Sequence, residues 1–216
     1  MSAFFFDFDG TLCDTRGDLA ATVNHTRRDY GLAELPLDEV IANVGLGARY
    51  LLTQCFKPDA AELLERVGVE RLFQGFLSHY LEHACETVQP YPGVRETLAE
   101  LRRRGCLLGI NTAKPRAAVE LILARLDLAD FFGAAIVAGG DSSEMKPSAR
   151  PLLDCAAKLN HPVGPDDWMV GDNWTDVGCG VNAGVKTAYC EFGFGVLKDF
   201  TPTVRLAAFS ELLEVS

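Results

Sequence analysis

Short apolar runs that alternate with helical patterns constrain the fold of this chain more than any other feature. The apolar runs predict five strands, over residues 3–8, 106–111, 134–138, 168–170 and 187–190. Apolar residues at helical spacing predict helices over 94–104, 115–126, 148–159 and 176–183. Strands alternating with helices imply a parallel sheet covered on both faces. The sequence therefore predicts an α/β fold with a doubly wound parallel sheet.

One long segment interrupts this alternation. Between the first two predicted strands, residues 14–89 show only helical patterns, over 18–30, 37–44, 48–55 and 60–85. A crossover between parallel strands needs only about a dozen residues, so a segment of this length predicts a subdomain of its own. The stretch QPYPGV, residues 89–94, predicts the linker that leads back to the sheet. We therefore expect a core made of residues 1–13 and 90–216, with a helical subdomain at 14–89.

Charge and cysteine usage narrow the range of partners. The net charge is −10, from 20 basic and 30 acidic residues, so the basic footprint of a protein that binds nucleic acid or anionic lipid is missing. The seven cysteines are odd in number and never spaced as CxxC, a usage typical of reduced thiols. The N-terminus lacks the pattern of a signal peptide, and no run of about 18 apolar residues could span a membrane. We expect a cytoplasmic protein with no nucleic-acid or membrane partner, and nothing indicates its oligomeric state.

Polar side chains follow the predicted strands where each strand ends. Asp7 and Asp9 end the first apolar run, Thr112 follows the second, and Asp172 follows the run at 168–170. Because the carboxyl ends of parallel strands meet at one edge of a sheet, we expect these residues to converge there. Two more residues join them from nearby loops and helices, Lys146 and Asp176.

This group of residues favours phosphoryl chemistry. Three or four carboxylates in one cleft repel each other, and a hard divalent cation with oxygen ligands relieves that repulsion. Mg2+ is favoured because neither His nor Cys accompanies the group. Lys146 and Thr112 suit an anionic phosphoryl group. Asp7, ionised beside Lys146 and Mg2+, is then a nucleophile, and Asp9 a general acid and base, which fits a covalent aspartyl-phosphate mechanism.

The same residues resemble the four motifs of the haloacid dehalogenase-like superfamily. DFDGT at 7–11, Thr112 after a strand, Lys146 before a proline and GDNWTD at 171–176 match those motifs in order. The stretches GLGARYLL, YPGV, TAKP and GGDSSEMKPSARPLL are similar to the phosphoglycolate phosphatase-like branch. The resemblance implies a Rossmann-like core with an inserted helical cap domain at 14–89.

The resemblance also implies roles for individual residues. Asp7 is the implied nucleophile and Asp9 the implied acid and base. The implied Mg2+ ligands are the Asp7 carboxylate, the Asp9 backbone carbonyl and Asp172, with support from Asp176 through water or through Lys146. Thr112 and Lys146 are the implied phosphate contacts. The chain departs from its relatives at two positions, with Ala113 where they often have Asn and Asn173 where they often have Ser or Thr.

We therefore expect a Mg2+-dependent phosphomonoester hydrolase that acts on a small phosphorylated metabolite. The first substrate to test is 2-phosphoglycolate, and pyrophosphate, nucleotides and sugar phosphates are the alternatives. A phosphomutase of the same superfamily would use the same aspartates, although Thr11 favours a phosphatase. A binding module without catalysis is a third class, and the complete set of catalytic residues disfavours it.

Three other features of the inserted segment and its surroundings allow two interpretations each. Arg49 either binds a substrate carboxylate through a bidentate fork or lies on the surface at a helix start. Lys114 either lies near the phosphate or is solvated. His79 and His83, four residues apart on a predicted helix, have a spacing that can bind metal, but packing or a solvated face is favoured because no further ligands lie nearby in the sequence.

Overall fold

Six strands form one parallel sheet at the centre of the protein, in a computed structural model that describes residues 2–215. In chain order they are β1 (Ala3–Phe6), β4 (Leu107–Pro115), β5 (Ile136–Gly139), β6 (Trp168–Gly171), β7 (Lys186–Cys190) and β8 (Val204–Leu206). Their order across the sheet is β5-β4-β1-β6-β7-β8. The chain moves from β1 to β4 and β5 on one side, then returns to place β6 on the other side. The carboxyl end of β1 is therefore the switch point, where ligands bind in open α/β sheets.

Helices cover the sheet on both faces. They are α5 (Val94–Arg103), α6 (Arg116–Arg125), α7 (Ala129–Phe132), α8 (Arg150–Lys158) and α9 (Trp174–Ala183), followed by a 3-10 turn (Phe209–Glu211) and α10 (Leu212–Val215). Alternate residues of β1 face opposite layers, as strand geometry requires. Phe4 and Phe6 pack in the larger apolar cluster, whereas Phe5 packs in the smaller one beside Leu152 and Cys155. This arrangement confirms the predicted α/β, doubly wound parallel sheet.

Four helices lie between β1 and β4 in the chain. They are α1 (Arg16–Asp29), α2 (Leu37–Ile41), α3 (Ala48–Val67) and α4 (Val69–His83). The short antiparallel strands β2 (Cys13–Asp14) and β3 (Gln89–Pro90) pair with each other where the chain leaves and re-enters the sheet layer. The buried carboxylate of Asp18 ties the two ends together. It accepts hydrogen bonds from the backbone N–H groups of Cys85 and Thr87, both 2.8 Å, and from the Thr87 hydroxyl, 2.6 Å.

The predicted elements exist, with ends that differ by a few residues, but their details differ in three places. The helix predicted over 60–85 is broken at Gly68, whose φ of 81° leaves the helical region. The residues before it belong to α3, which continues through Pro58 with a kink at Ala60. β4 runs to Pro115 rather than ending at Asn111. The short elements β2, β3, α7, β8 and α10 carry too few residues for a periodic pattern, so the sequence did not predict them.

The structure also bears on the cysteines and on membrane insertion. All seven cysteines have free thiols, and five of them are buried. Among residues 2–215, no helix combines the length and the apolar character that a membrane crossing requires.

Candidate active site

Three neighbouring strands bring the predicted residues to one edge of the sheet. Asp7 directly follows β1, Thr112 lies in β4 and Asp172 directly follows β6. Because β4 and β6 are the two neighbours of β1, these side chains meet at the switch point. The backbone N–H of Asp7 donates to the Val170 carbonyl at 2.9 Å, which fixes the first carboxylate to the neighbouring strand.

A cluster of three buried carboxylates occupies this edge. One oxygen from each of Asp7, Asp172 and Asp176 lies within 4.8 Å of the others. Burial, followed by the charge of Asp7, raises the pKa of Asp176 from 3.8 to about 7, although Lys146 opposes both effects. Burial, followed by repulsion from Asp176 and Asp7, raises the pKa of Asp172 well above its usual range. Buried like charges at this distance favour a cation between them, and an all-oxygen donor set fits a hard divalent ion.

Lys146 connects the members of this cluster. Its buried ammonium group lies 2.5 Å from Asp176 Oδ1 and 3.0 Å from Asp7 Oδ1, and it also donates to the Asn111 carbonyl at 2.9 Å. Burial alone would lower the pKa of Lys146, but the charges of Asp176 and Asp7 outweigh it, so the pKa is raised. Lys146 is therefore a fixed positive charge beside the carboxylates.

Asp9 is held apart from the carboxylate cluster by two donors of its own. The strand ends at Phe6, so Asp9 lies in the following loop rather than on the strand. Its Oδ1 accepts from the Thr15 hydroxyl at 2.7 Å and from the Lys114 ammonium at 2.7 Å. The sequence allowed two interpretations of Lys114, a position near the phosphate or a solvated one, and the structure buries it in the site. The sequence could not choose between the two, because the predicted strand ends at residue 111 and β4 instead runs to Pro115.

The loop EFGFG, residues 191–195, holds Asp172 in place. The backbone N–H groups of Phe194 and Gly195 donate to Asp172 Oδ2 at 2.9 and 2.7 Å. Gly10 also lies close to this oxygen, because a Cβ built on it would lie 1.9 Å from Asp172 Oδ2. Backbone donors leave no mark in a sequence, so the role of this loop could not be predicted.

The N-terminus of α9 positions Asp176. Asn173 is the N-cap of this helix, and its side-chain oxygen accepts from Thr175 N at 3.3 Å. In return, Asp176 Oδ2 accepts from Asn173 N at 3.0 Å, which completes a capping box. Asn caps a helix as well as the Ser or Thr common in relatives. The departure at this position is therefore conservative in structural terms.

The cleft above these residues has two kinds of wall. The sheet edge contributes its polar residues, including Asp7, Asp9, Thr112 and Asp172. The helical insert contributes apolar side chains over the cleft: Leu19, Val44, Leu51 and Phe76, together with Tyr80. A bound molecule would thus contact the carboxylates of the sheet edge on one side and the apolar side chains of the insert on the other.

Arg49 lies at the edge of a second cleft that shares Thr112 with the first. Its guanidinium makes a two-pronged ion pair with Glu70, with distances of 2.8 and 2.9 Å, and lies 3.8 Å from the centre of the Phe73 ring. A substrate role for Arg49 stays a prediction, and this ion pair would have to open for Arg49 to fulfil it.

The histidines of the insert form their own surface group, away from the carboxylates. The rings of His79 and His83 on α4 lie 5.1 and 5.4 Å from the ring of His25 on α1. His79 pairs with Asp29 at 2.7 Å and His83 with Glu86 at 2.8 Å. These contacts agree with the packing interpretation of the i, i+4 pair.

Comparison with known proteins gives a consistent result. Residues 4–190 match the family described as haloacid dehalogenase-like hydrolase. A phosphoglycolate phosphatase from Agrobacterium fabrum is 35% identical over 189 residues, which cover 88% of this chain and 80% of that protein. An N-acetylmuramic acid 6-phosphate phosphatase from Pseudomonas aeruginosa is 33% identical, with 90% and 83% covered. A crystal structure of a predicted phosphoglycolate phosphatase from Haemophilus somnus superposes with a TM-score of 0.89 at 25% identity, covering 100% of this chain and 97% of that one.

Proposed function

The chain belongs to the haloacid dehalogenase-like hydrolase family and is a phosphatase, and from that premise we propose that it hydrolyses small phosphomonoesters with Mg2+ through an aspartyl-phosphate on Asp7. The observation that carries this proposal is the contact of Lys146 with both Asp7 and Asp176 inside a cluster of three carboxylates. The cluster offers a nucleophile, a cation site and a fixed positive charge within one small volume.

The proposed reaction has two steps. In the first, an Asp7 oxygen forms a bond to phosphorus, the bond from phosphorus to the alcohol oxygen breaks, and Asp9 gives its proton to that oxygen. In the second, Asp9 takes a proton from water, whose oxygen attacks phosphorus and releases phosphate and the Asp7 carboxylate. Lys146 and Thr112 hold the phosphoryl oxygens in both steps.

The proposed Mg2+ ligands are the carboxylates of Asp7 and Asp172 and the backbone carbonyl of Asp9, with Asp176 in support through water or Lys146. When bound, Mg2+ would neutralise phosphoryl charge and the repulsion between these aspartates. The fit rests on the carboxylates of Asp7, Asp172 and Asp176, which offer only oxygen donors and have one oxygen each within 4.8 Å of the others.

We propose that residues 14–89 act as a cap domain that covers the substrate and excludes water. Support comes from the apolar residues that this segment contributes to the cleft, such as Leu51 and Phe76. The first substrate to test is 2-phosphoglycolate, because relatives such as the one from Agrobacterium fabrum are named phosphoglycolate phosphatase. N-acetylmuramic acid 6-phosphate, pyrophosphate, nucleotides and other sugar phosphates follow. The proposed location is the cytoplasm, with neither nucleic acid nor membrane as a partner.

The test is phosphate release from 2-phosphoglycolate by the wild type and by Asp7→Asn, with Mg2+ and with EDTA. We expect wild-type activity only with Mg2+ and a loss of about a thousandfold or more in the variant. Asp141→Asn is the matched control, because Asp141 follows β5 at the same edge but pairs with Arg116. Equal activity of wild type and Asp7→Asn would exclude Asp7 as the nucleophile. Isomer formed from a sugar 1-phosphate without released phosphate would indicate a mutase instead.

A further inference from the structure

Lys114 is a buried cation in the cleft, separate from Lys146, and the proposed reaction does not use it. Among residues 2–215, it is the one Lys or Arg that lines the cleft of Asp7 and Asp9. One contact of its ammonium group is Asp9 Oδ1, at 2.7 Å. An ammonium group has three N–H donors, so this contact leaves donors available to a bound molecule.

Tyr80 of α4 adds a buried hydroxyl group beside Lys114. The side chain is 1% exposed and lines the same cleft, and apart from the neighbouring Lys114 ammonium its hydroxyl has no hydrogen-bond partner among residues 2–215. The Lys114 ammonium lies 4.5 Å from the centre of the Tyr80 ring. A buried hydroxyl whose proton has no acceptor is unfavourable, and a ligand that accepts its hydrogen bond would relieve that cost. Burial raises the pKa of Tyr80 to about 12, so the hydroxyl keeps its proton and is a donor.

One cation and one neutral donor suit a particular kind of anion. The remaining surroundings on the insert side are apolar, including Leu19, Leu51 and Phe76. A second phosphate group carries up to two charges and is typically bound by Arg forks or several donors. A carboxylate carries one charge and two acceptor oxygens, which one ammonium and one hydroxyl can satisfy. Its charge also needs such a cation, because Asp7, Asp9 and Asp172 make the cleft negative.

We propose that Lys114 and Tyr80 bind a carboxylate on the alcohol part of the substrate. This inference rests on the proposed function and names the substrate class as phosphomonoesters of hydroxy acids. Lys114 comes from the sheet edge and Tyr80 from the helical insert, so the carboxylate is recognised where these two parts of the chain meet. Lys114 also forms an ion pair with Asp9, so the same side chain would bind the substrate carboxylate and position the residue that transfers the proton.

The test compares two esters that differ only in this group, 2-phosphoglycolate and 2-hydroxyethyl phosphate. A hydrogen bond to a charged group contributes about 1.5–3 kcal/mol, which corresponds to a factor of about 10–100 in affinity. We expect Tyr80→Phe to raise KM for 2-phosphoglycolate about tenfold or more and to change KM for 2-hydroxyethyl phosphate by less than about twofold. Lys114→Met changes both reactions through Asp9, so its readout is the ratio of the two kcat/KM values, which should fall toward one.

Tyr91→Phe is the matched control, because the Tyr91 hydroxyl is also buried without a partner but does not line the cleft. It should change neither KM. If Tyr80→Phe and Lys114→Met leave the wild-type ratio of kcat/KM unchanged, the carboxylate site is excluded while the phosphatase proposal stands. A wild type that prefers 2-hydroxyethyl phosphate excludes the site as well. A wild type that releases phosphate from neither ester overturns the proposed function, and this inference with it.

Discussion

Lys146 contacts both Asp7 and Asp176, at 3.0 and 2.5 Å, and so links the DFDGT motif at 7–11 to the GDNWTD motif at 171–176. The two aspartates are far apart in the sequence: Asp7 directly follows β1, and Asp176 lies in the first turn of α9, the helix that follows the neighbouring strand β6. Full ionisation of all three carboxylates beside one ammonium would give this buried cluster a net negative charge, and burial and mutual repulsion accordingly raise the pKa values of Asp172 and Asp176. That imbalance has consequences for catalysis, for metal binding and for stability.

Replacing Lys146 with Met should abolish most of the activity. The substitution keeps the length of the side chain but removes the charge that the proposed reaction needs next to the phosphoryl group. We expect kcat to fall by about a hundredfold or more, measured as phosphate release with saturating Mg2+. Lys186→Met is a suitable control, because Lys186 forms an exposed pair with Asp166 at 2.9 Å. A Lys146→Met enzyme with near wild-type kcat would remove Lys146 from the mechanism.

The stability of the metal-free protein should fall as pH rises from about 5 to about 8. Burial and Asp7 raise the pKa of Asp176 from 3.8 to about 7, so the folded state binds a proton that the unfolded state has already lost in this range. Stability then decreases with pH, because the folded state holds more protons than the unfolded state. Thermal unfolding in EDTA at pH 5.5 and pH 8 measures the effect as a lower Tm at pH 8.

Mg2+ should reverse this trend, since a cation between the carboxylates replaces the proton. We expect Mg2+ to raise Tm more at pH 8 than at pH 5.5. Asp176→Asn removes the titrating group, so its Tm in EDTA should change less with pH than that of the wild type. A wild-type Tm in EDTA that rises between pH 5.5 and pH 8 would contradict the assignment.

The sequence indicated the sheet and the carboxylates because both depend on local patterns. Apolar runs mark buried strands, and an aspartate directly after such a run marks the sheet edge, as at Asp7 and Asp172. Lys114 could not be assigned in this way, because its burial depends on Asp9 and on Tyr80 from a distant helix. The break at Gly68 was missed for a related reason, since the apolar pattern continues on both sides of it and only the backbone changes direction.

Asp18 should be important for stability although it lies outside the site. It accepts three hydrogen bonds from residues 85 and 87, where the chain returns from the insert. Asp18→Ala removes this buried acceptor from the two partly buried backbone N–H groups, so we expect a loss of about 2–4 kcal/mol in the free energy of unfolding, measured in urea. Asp38→Ala, an exposed aspartate in the first turn of α2, should cost less than about 1 kcal/mol. Equal losses in the two variants would show that the hydrogen bonds between Asp18 and residues 85 and 87 contribute little to the free energy of unfolding.

Gly10 should be indispensable to the geometry of Asp172, and a second glycine allows this to be separated from backbone strain. Gly10 and Gly31 have similar positive φ values, 77° and 72°, so an alanine at either position costs about 1 kcal/mol in strain. A Cβ at Gly31 meets nothing within 4 Å, whereas one at Gly10 lies 1.9 Å from Asp172 Oδ2. Gly10→Ala must therefore displace a proposed metal ligand, and we expect a weaker apparent affinity for Mg2+ and a kcat at least about tenfold lower. Gly31→Ala should lower only the free energy of unfolding and should leave the Mg2+ dependence and kcat unchanged. If the two variants behave alike in Mg2+ titrations of activity, the close approach of Gly10 to Asp172 has no functional consequence.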